Sequence, residues 1–100
     1  MLVIAGEIAI DPARRAAAIA TVLRMAEETR KEAGCAQYVF SGDLGDPGRF
    51  RIFEEWESQA ALDAHFASPH MAAFQTAIAE LGVRSMTIRR YEVSSVGPLR

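Results

Sequence analysis

Two pairs of punctuation marks restrict this chain more than any other feature. Asp11-Pro12 and Gly34 bracket one segment, and Ser68-Pro69 and Gly82 bracket another. An Asp or Ser side chain accepts hydrogen bonds from the free amides of a first helical turn. Proline at the first helical position loses no donor that the helix needs. Glycine just past a last turn takes the left-handed conformation that stops a helix. The marks predict one helix over about 12–33 and another from Pro69 to Gly82, with Ser58 starting a further short helix that carries Leu62 and Phe66. The remaining segments, Leu2–Ile10, Cys35–Asp43, Arg49–Glu57 and Arg84–Ser94, read as strands, and the Gly- and Asp-rich stretch 42–48 joins the middle two as a hairpin.

The order β-α-β-β-α-β, with the second helix broken in two, is that of an α+β ferredoxin-like fold with an antiparallel four-stranded sheet. Strand one offers two apolar faces: Leu2, Ile4, Gly6, Ile8 and Ile10 on one, and Val3, Ala5, Glu7 and Ala9 on the other. Strand two places Tyr38 and Phe40 together, opposite Val39. Strand three places Phe50, Ile52, Glu54 and Trp56 together, opposite Arg51, Phe53 and Glu55. Ile19, Val22, Leu23, Ala26 and Ala33 form the expected buried stripe of the first helix. Met71, Phe74, Ile78 and Leu81 form that of the last.

Helices on one side of such a sheet leave its other side to cover. A chain of 100 residues with a single cysteine has no disulfide and buries only roughly 60–70% of its unfolded surface. The face Leu2, Ile4, Ile8, Ile10 is too apolar for water. A second copy packed sheet to sheet, a homodimeric α+β barrel, is the expected partner.

Charge and spacing exclude several classes. The net charge is −2, and acidic and basic residues alternate without forming blocks, which argues against a nucleic-acid surface. No apolar run approaches the ~20 residues of a membrane helix. Met1–Ala5 is apolar but lacks a basic leader and is interrupted by Glu7, so no signal peptide is expected. The lone Cys35 fits a reducing, cytoplasmic location. The metal spacings Cx₂C and HExxH are absent, as are GxGxxG and GxxxxGK[ST], so neither metal nor cofactor is expected.

Three segments resemble the antibiotic biosynthesis monooxygenase family. Glu32-Ala33-Gly34-Cys35-Ala36-Gln37-Tyr38 is similar to its E-x-G-C-x-x-Y entry into strand two. Phe50-Arg51-Ile52-Phe53-Glu54-Glu55-Trp56 is similar to its F-x-x-x-E-x-W strand, and Ala61-Leu62-Asp63-Ala64-His65 through His70 to its A-L-x-x-H-x-x-x-x-H helix pair. The resemblance spans essentially the whole chain, read as a single domain over residues 1–100. It implies a dimeric α+β barrel with a pocket between helices and sheet. It also implies one of several activities: cofactor-independent oxygenation of quinols or phenols, haem degradation, or isomerisation of a small signal molecule. In the haem-degrading branch an asparagine on strand one and a histidine on the last helix do the work. Glu7 and Gln75 stand at those positions here, and only Trp56 is retained.

His65 and His70 flank the helix break and are the candidate proton-transfer residues; the alternative is that they tie the break to backbone groups. Two histidines offer no clear third metal ligand. Glu54, a carboxylate on an apolar strand face, needs either an ionic partner or a role as a base. Trp56 is a pocket wall or a core residue, and Ile52, Phe66, Phe74 and Tyr38 complete the expected pocket. Cys35 has no basic neighbour to make a thiolate. The expected function is a cofactor-independent monooxygenase on a small quinol-like or phenolic substrate. An isomerase of a hydroxycarbonyl compound and a non-catalytic binding protein are the alternatives.

Overall fold

The capping residues act as their chemistry dictates. In the computed structural model, which describes residues 1–100, the Asp11 carboxylate accepts a hydrogen bond from Ala13 N (3.0 Å), Ser58 Oγ from Ala61 N (3.1 Å), and Ser68 Oγ from Met71 N (3.2 Å). The elements are β1 (Leu2–Ile10), a 3₁₀ turn (Pro12–Arg14), α1 (Arg15–Thr29), β2 (Cys35–Gly42), β3 (Arg49–Trp56), α2 (Gln59–Phe66), α3 (Pro69–Ile78) and β4 (Val83–Glu92). The strands form one antiparallel sheet in the order β2-β3-β1-β4, the ferredoxin-like arrangement. No helix is long and apolar enough to cross a membrane.

The first helix is shorter than its glycine mark predicts. It ends at Thr29, and residues 30–34 wind into a tightened turn in which Lys31 N donates to Glu28 O and Glu32 N to Thr29 O. Gly34 then reverses the chain at φ +83°. The buried stripe is Ala18, Val22, Met25, Ala26 and Thr29, so Val22 and Ala26 sit as expected while Leu23 is 63% exposed. At 3.6 residues per turn, Leu23 and Ile19 fall on the flank of that stripe, pointing away from the sheet.

The two faces of β1 are assigned oppositely to the expectation. Leu2, Ile4, Ile8 and Ile10 are buried on the helix side, with Met25, Leu62 and Met71 packed over the sheet. The pairings Leu2↔Trp56, Ile4↔Glu54 and Ile8↔Phe50 put this face beside the buried side of β3. The uncovered face instead carries Val3, Ala5 and Glu7 with Val39, Phe53, Arg89 and Tyr91. Both faces of β1 are apolar, so alternation within it could not choose; the neighbouring strand decides. β4 lies at the sheet edge beside β1, and all ten of its residues are exposed.

Candidate active site

The site grows from the middle of the sheet. Glu54 lies between Ile4 on β1 and Tyr38 on β2. Two residues on along β3, Trp56 turns the same way and donates its indole Nε1–H to Glu54 Oε1 (2.7 Å). That bond accounts for one carboxyl oxygen. Burial pushes the Glu54 carboxyl up to about 7, against the pull of the indole donor. Glu54 is therefore neither ion-paired nor solvated, and it can exchange a proton near neutral pH.

His65 descends from α2 onto this pair. It is 1% exposed, with its ring centroid 4.8 Å from that of Trp56 and 5.5 Å from that of Tyr38. Its Nδ1 lies 2.6 Å from Glu32 Oε2, and its Nε2 is buried without a protein partner. Burial holds the imidazole below its ordinary range, so the ring is neutral at pH 7. His70, in the first turn of α3, brings Nε2 to within 2.9 Å of the same Glu32 oxygen.

A cavity of about 200 Å³ opens between α2, α3 and the sheet. Ile52, Tyr38, Phe66 and Phe74 line it, with Ile4, Phe40, Met71 and Ile78, and β4 contributes Met86 and Ile88. Glu54, His65 and Gln75 are the polar groups among its lining besides Tyr38, and no Lys or Arg lines it. Burial pushes the Tyr38 phenol well up, so it stays protonated and can act as a donor.

Two of the expected pocket residues lie elsewhere. Trp56 is fully buried behind the lining, where it serves Glu54 and carries the His65 ring. His70 does not line the cavity: it borders a groove between α1 and α3, with Thr21 and Glu28, shares the Glu32 carboxylate with His65, and holds its ring centroid 6.0 Å from that of His65.

Glu32 was hidden in the sequence although it stands in the segment similar to the family's strand-two entry. Thirty-three residues separate it from His65, and no local periodicity joins them. It also supplies the third donor atom that the sequence spacing did not reveal. Glu32, His65 and His70 present three ligand-type atoms within 4.8 Å of one another. A carboxylate and two imidazoles are a donor set that suits a divalent ion; as arranged, the three satisfy one another through hydrogen bonds.

The remaining candidates resolve simply. Burial raises the Cys35 thiol, and Glu32 and Glu54 add to that, so it is no thiolate. Glu7 lies on the uncovered face and pairs with Arg49 and Arg51.

Fold and site together define a ferredoxin-like α+β protein with an apolar cavity walled by helices and sheet, into which a buried carboxyl and imidazole are set. More narrowly, the chain belongs to the antibiotic biosynthesis monooxygenase family, whose sequence profile matches residues 1–77. It is 32% identical over 98 residues to the uncharacterised protein sll1783 of Synechocystis, covering 98% of this chain and 67% of that one. It is 31% identical over 88 residues to an Escherichia coli protein named "Probable quinol monooxygenase YgiN", covering 78% of this chain and 85% of that one. A crystal structure from Deinococcus radiodurans, provisionally described as an antibiotic biosynthesis monooxygenase, superimposes with a TM-score of 0.92 at 29% identity, covering 100% of this chain and 99% of that one.

Proposed function

We propose that this protein is a cofactor-independent monooxygenase of a small neutral quinol or phenol bound in the cavity. The observation that carries the proposal is the pair of proton acceptors, Glu54 and His65, set into the wall of one apolar cavity without a cation among its lining. A base that removes a phenolic proton makes the ring electron-rich enough to reduce oxygen itself. For a hydroquinone the balance is quinol plus O₂ giving hydroxyquinone plus water. One oxygen atom replaces a ring hydrogen as hydroxyl, the other leaves as water, and the quinol supplies the electrons. The dry surroundings keep both bases competent and favour a neutral substrate over an anionic one. The quinol named for the Escherichia coli relative agrees with this class.

Turnover of a quinol under ¹⁸O₂ tests the reading. One labelled atom should appear in the product and one in water, with no added flavin or metal. Glu54→Gln and His65→Gln should each lower kcat by roughly 10²–10⁴-fold. Unlabelled product from every quinol tried would overturn it. Glu54 can give a proton as well as take one, which also suits isomerisation of a hydroxycarbonyl compound. Solvent deuterium incorporation without oxygen uptake would select that activity, and binding without turnover would select a binding protein.

The second partner in this proposal is another copy of the chain. Val39, Phe53 and Tyr91, 38–47% exposed on the uncovered sheet face, support a homodimer formed through that face. The lone free cysteine supports a cytoplasmic location.

A further inference from the structure

We infer that Glu32 is a positioning residue: through one carboxylate oxygen it fixes the tautomer and tilt of His65, and His70 in turn anchors Glu32. This rests on the reading of His65 as a proton acceptor for a ligand in the cavity, but the tautomer itself can be observed without turnover.

A carboxylate accepts hydrogen bonds and does not donate them. At 2.6 Å from Glu32 Oε2, His65 Nδ1 must therefore carry the ring proton, which leaves Nε2 with a bare lone pair. That Nε2 is buried and has no protein donor. A buried acceptor with nothing to accept from is costly, and such orphans call for an explanation. A ligand O–H entering the cavity supplies the missing donor. The ring cannot simply turn away, because Trp56 and Tyr38 pack against it.

The carboxylate is held as firmly as the imidazole. His70 Nε2 donates to the same Oε2 that receives His65, so two donors from two helices converge on one oxygen. Gly34 lets the segment after α1 press against α2: a Cβ there would stand 2.5 Å from Ala61 Cβ. The arrangement also discriminates. A quinol brings an O–H to the bare Nε2, whereas a quinone brings only carbonyl oxygens, which the lone pair repels. The quinol is thus held by a bond that a quinone lacking a hydroxyl cannot make.

The test uses ¹⁵N-histidine-labelled protein together with 2-methylhydroquinone and 2-methylbenzoquinone as probes. In the wild type, His65 should show the Nδ1–H tautomer, and the quinol should bind at least 10-fold more tightly than the quinone. Glu32→Gln, whose amide can donate to Nδ1, should shift His65 toward the Nε2–H tautomer and shrink that preference. It should also lower kcat more than it changes KM. Glu32→Asp, which keeps the carboxylate, should recover the tautomer in part, and His70→Ala should broaden the His65 signals while retaining Nδ1–H. Thermal unfolding of each variant separates these effects from loss of fold. An Nε2–H tautomer in the wild type, or an unchanged tautomer and preference in folded Glu32→Gln, would overturn the inference. An inactive wild type with the Nδ1–H tautomer and the quinol preference would sink the oxygenase reading and leave this one standing.

Discussion

Glu54 carries an acid where its strand would otherwise be wholly apolar, and this has a thermodynamic signature. Its carboxyl titrates at about 7 in the folded protein against an ordinary 4.5. Between those values the folded state keeps a proton that the unfolded chain has released, so stability falls as pH rises from about 4.5 to about 7. A shift of that size is worth about 3 kcal/mol once both states are ionised. Glutamine keeps the acceptor for the Trp56 indole and never ionises. We therefore expect Glu54→Gln to be more stable than the wild type at pH 8, by up to about 3 kcal/mol, with the gap closing by pH 4.5. Urea unfolding across that range measures it, and parallel curves would show that Glu54 is solvated. His65 titrates in both proteins, so its contribution cancels in the comparison. The alternation of β3 made Glu54 and Trp56 neighbours on one face in the sequence. That they hydrogen-bond to each other, and that this draws Trp56 behind the cavity, depends on side-chain rotamers that no spacing encodes.

Among the elements, what was legible in the sequence was what is local. Asp11, Ser58 and Ser68 cap amides two or three residues away, so their helix starts could be read directly. The end of α1 could not, because its last turn tightens to let Gly34 reverse against a helix that comes 25 residues later. Nor could the meeting of Glu32 with His65, which depends on the same reversal. Gly34→Ala tests that dependence. Alanine at a left-handed φ costs about 1–2 kcal/mol in the backbone alone, and its methyl would have to displace Ala61. We expect a destabilised protein in which α2 shifts and the Glu32–His65 hydrogen bond is lost, seen as a changed His65 imidazole resonance. Ala61→Gly added to Gly34→Ala should return the space and the resonance but not the backbone cost. If the single variant leaves both stability and resonance unchanged, the turn does not position the site.

At the scale of the whole molecule, the sheet separates two chemistries by its pleat. One side holds Glu54, Trp56 and the cavity; the other holds Phe53, Val39 and Tyr91, with the Glu7, Arg49, Arg51 and Asp43 ion pairs among their neighbouring residues. Phe53 pairs with Ala5 on β1 and Val39 on β2, so it stands near the centre of the uncovered side, flanked by apolar groups. Such a position is favourable for an aromatic only when water is excluded from it. A second copy packed face to face would do this, and successive residues of β3 would then serve the interface and the cavity in turn. The consequence is a separable variant. Phe53→Lys puts a charge at the centre of the proposed interface and leaves the helix side of β3 untouched. Sedimentation equilibrium at micromolar concentration should show the wild type as a dimer and Phe53→Lys as a monomer. Quenching of the single Trp56 fluorescence by a cavity-bound quinol should persist in the variant, because the indole lies on the opposite pleat beside Glu54. A wild type that sediments as a monomer would mean that the uncovered face stays wet, and the apolar residues on it would need another explanation.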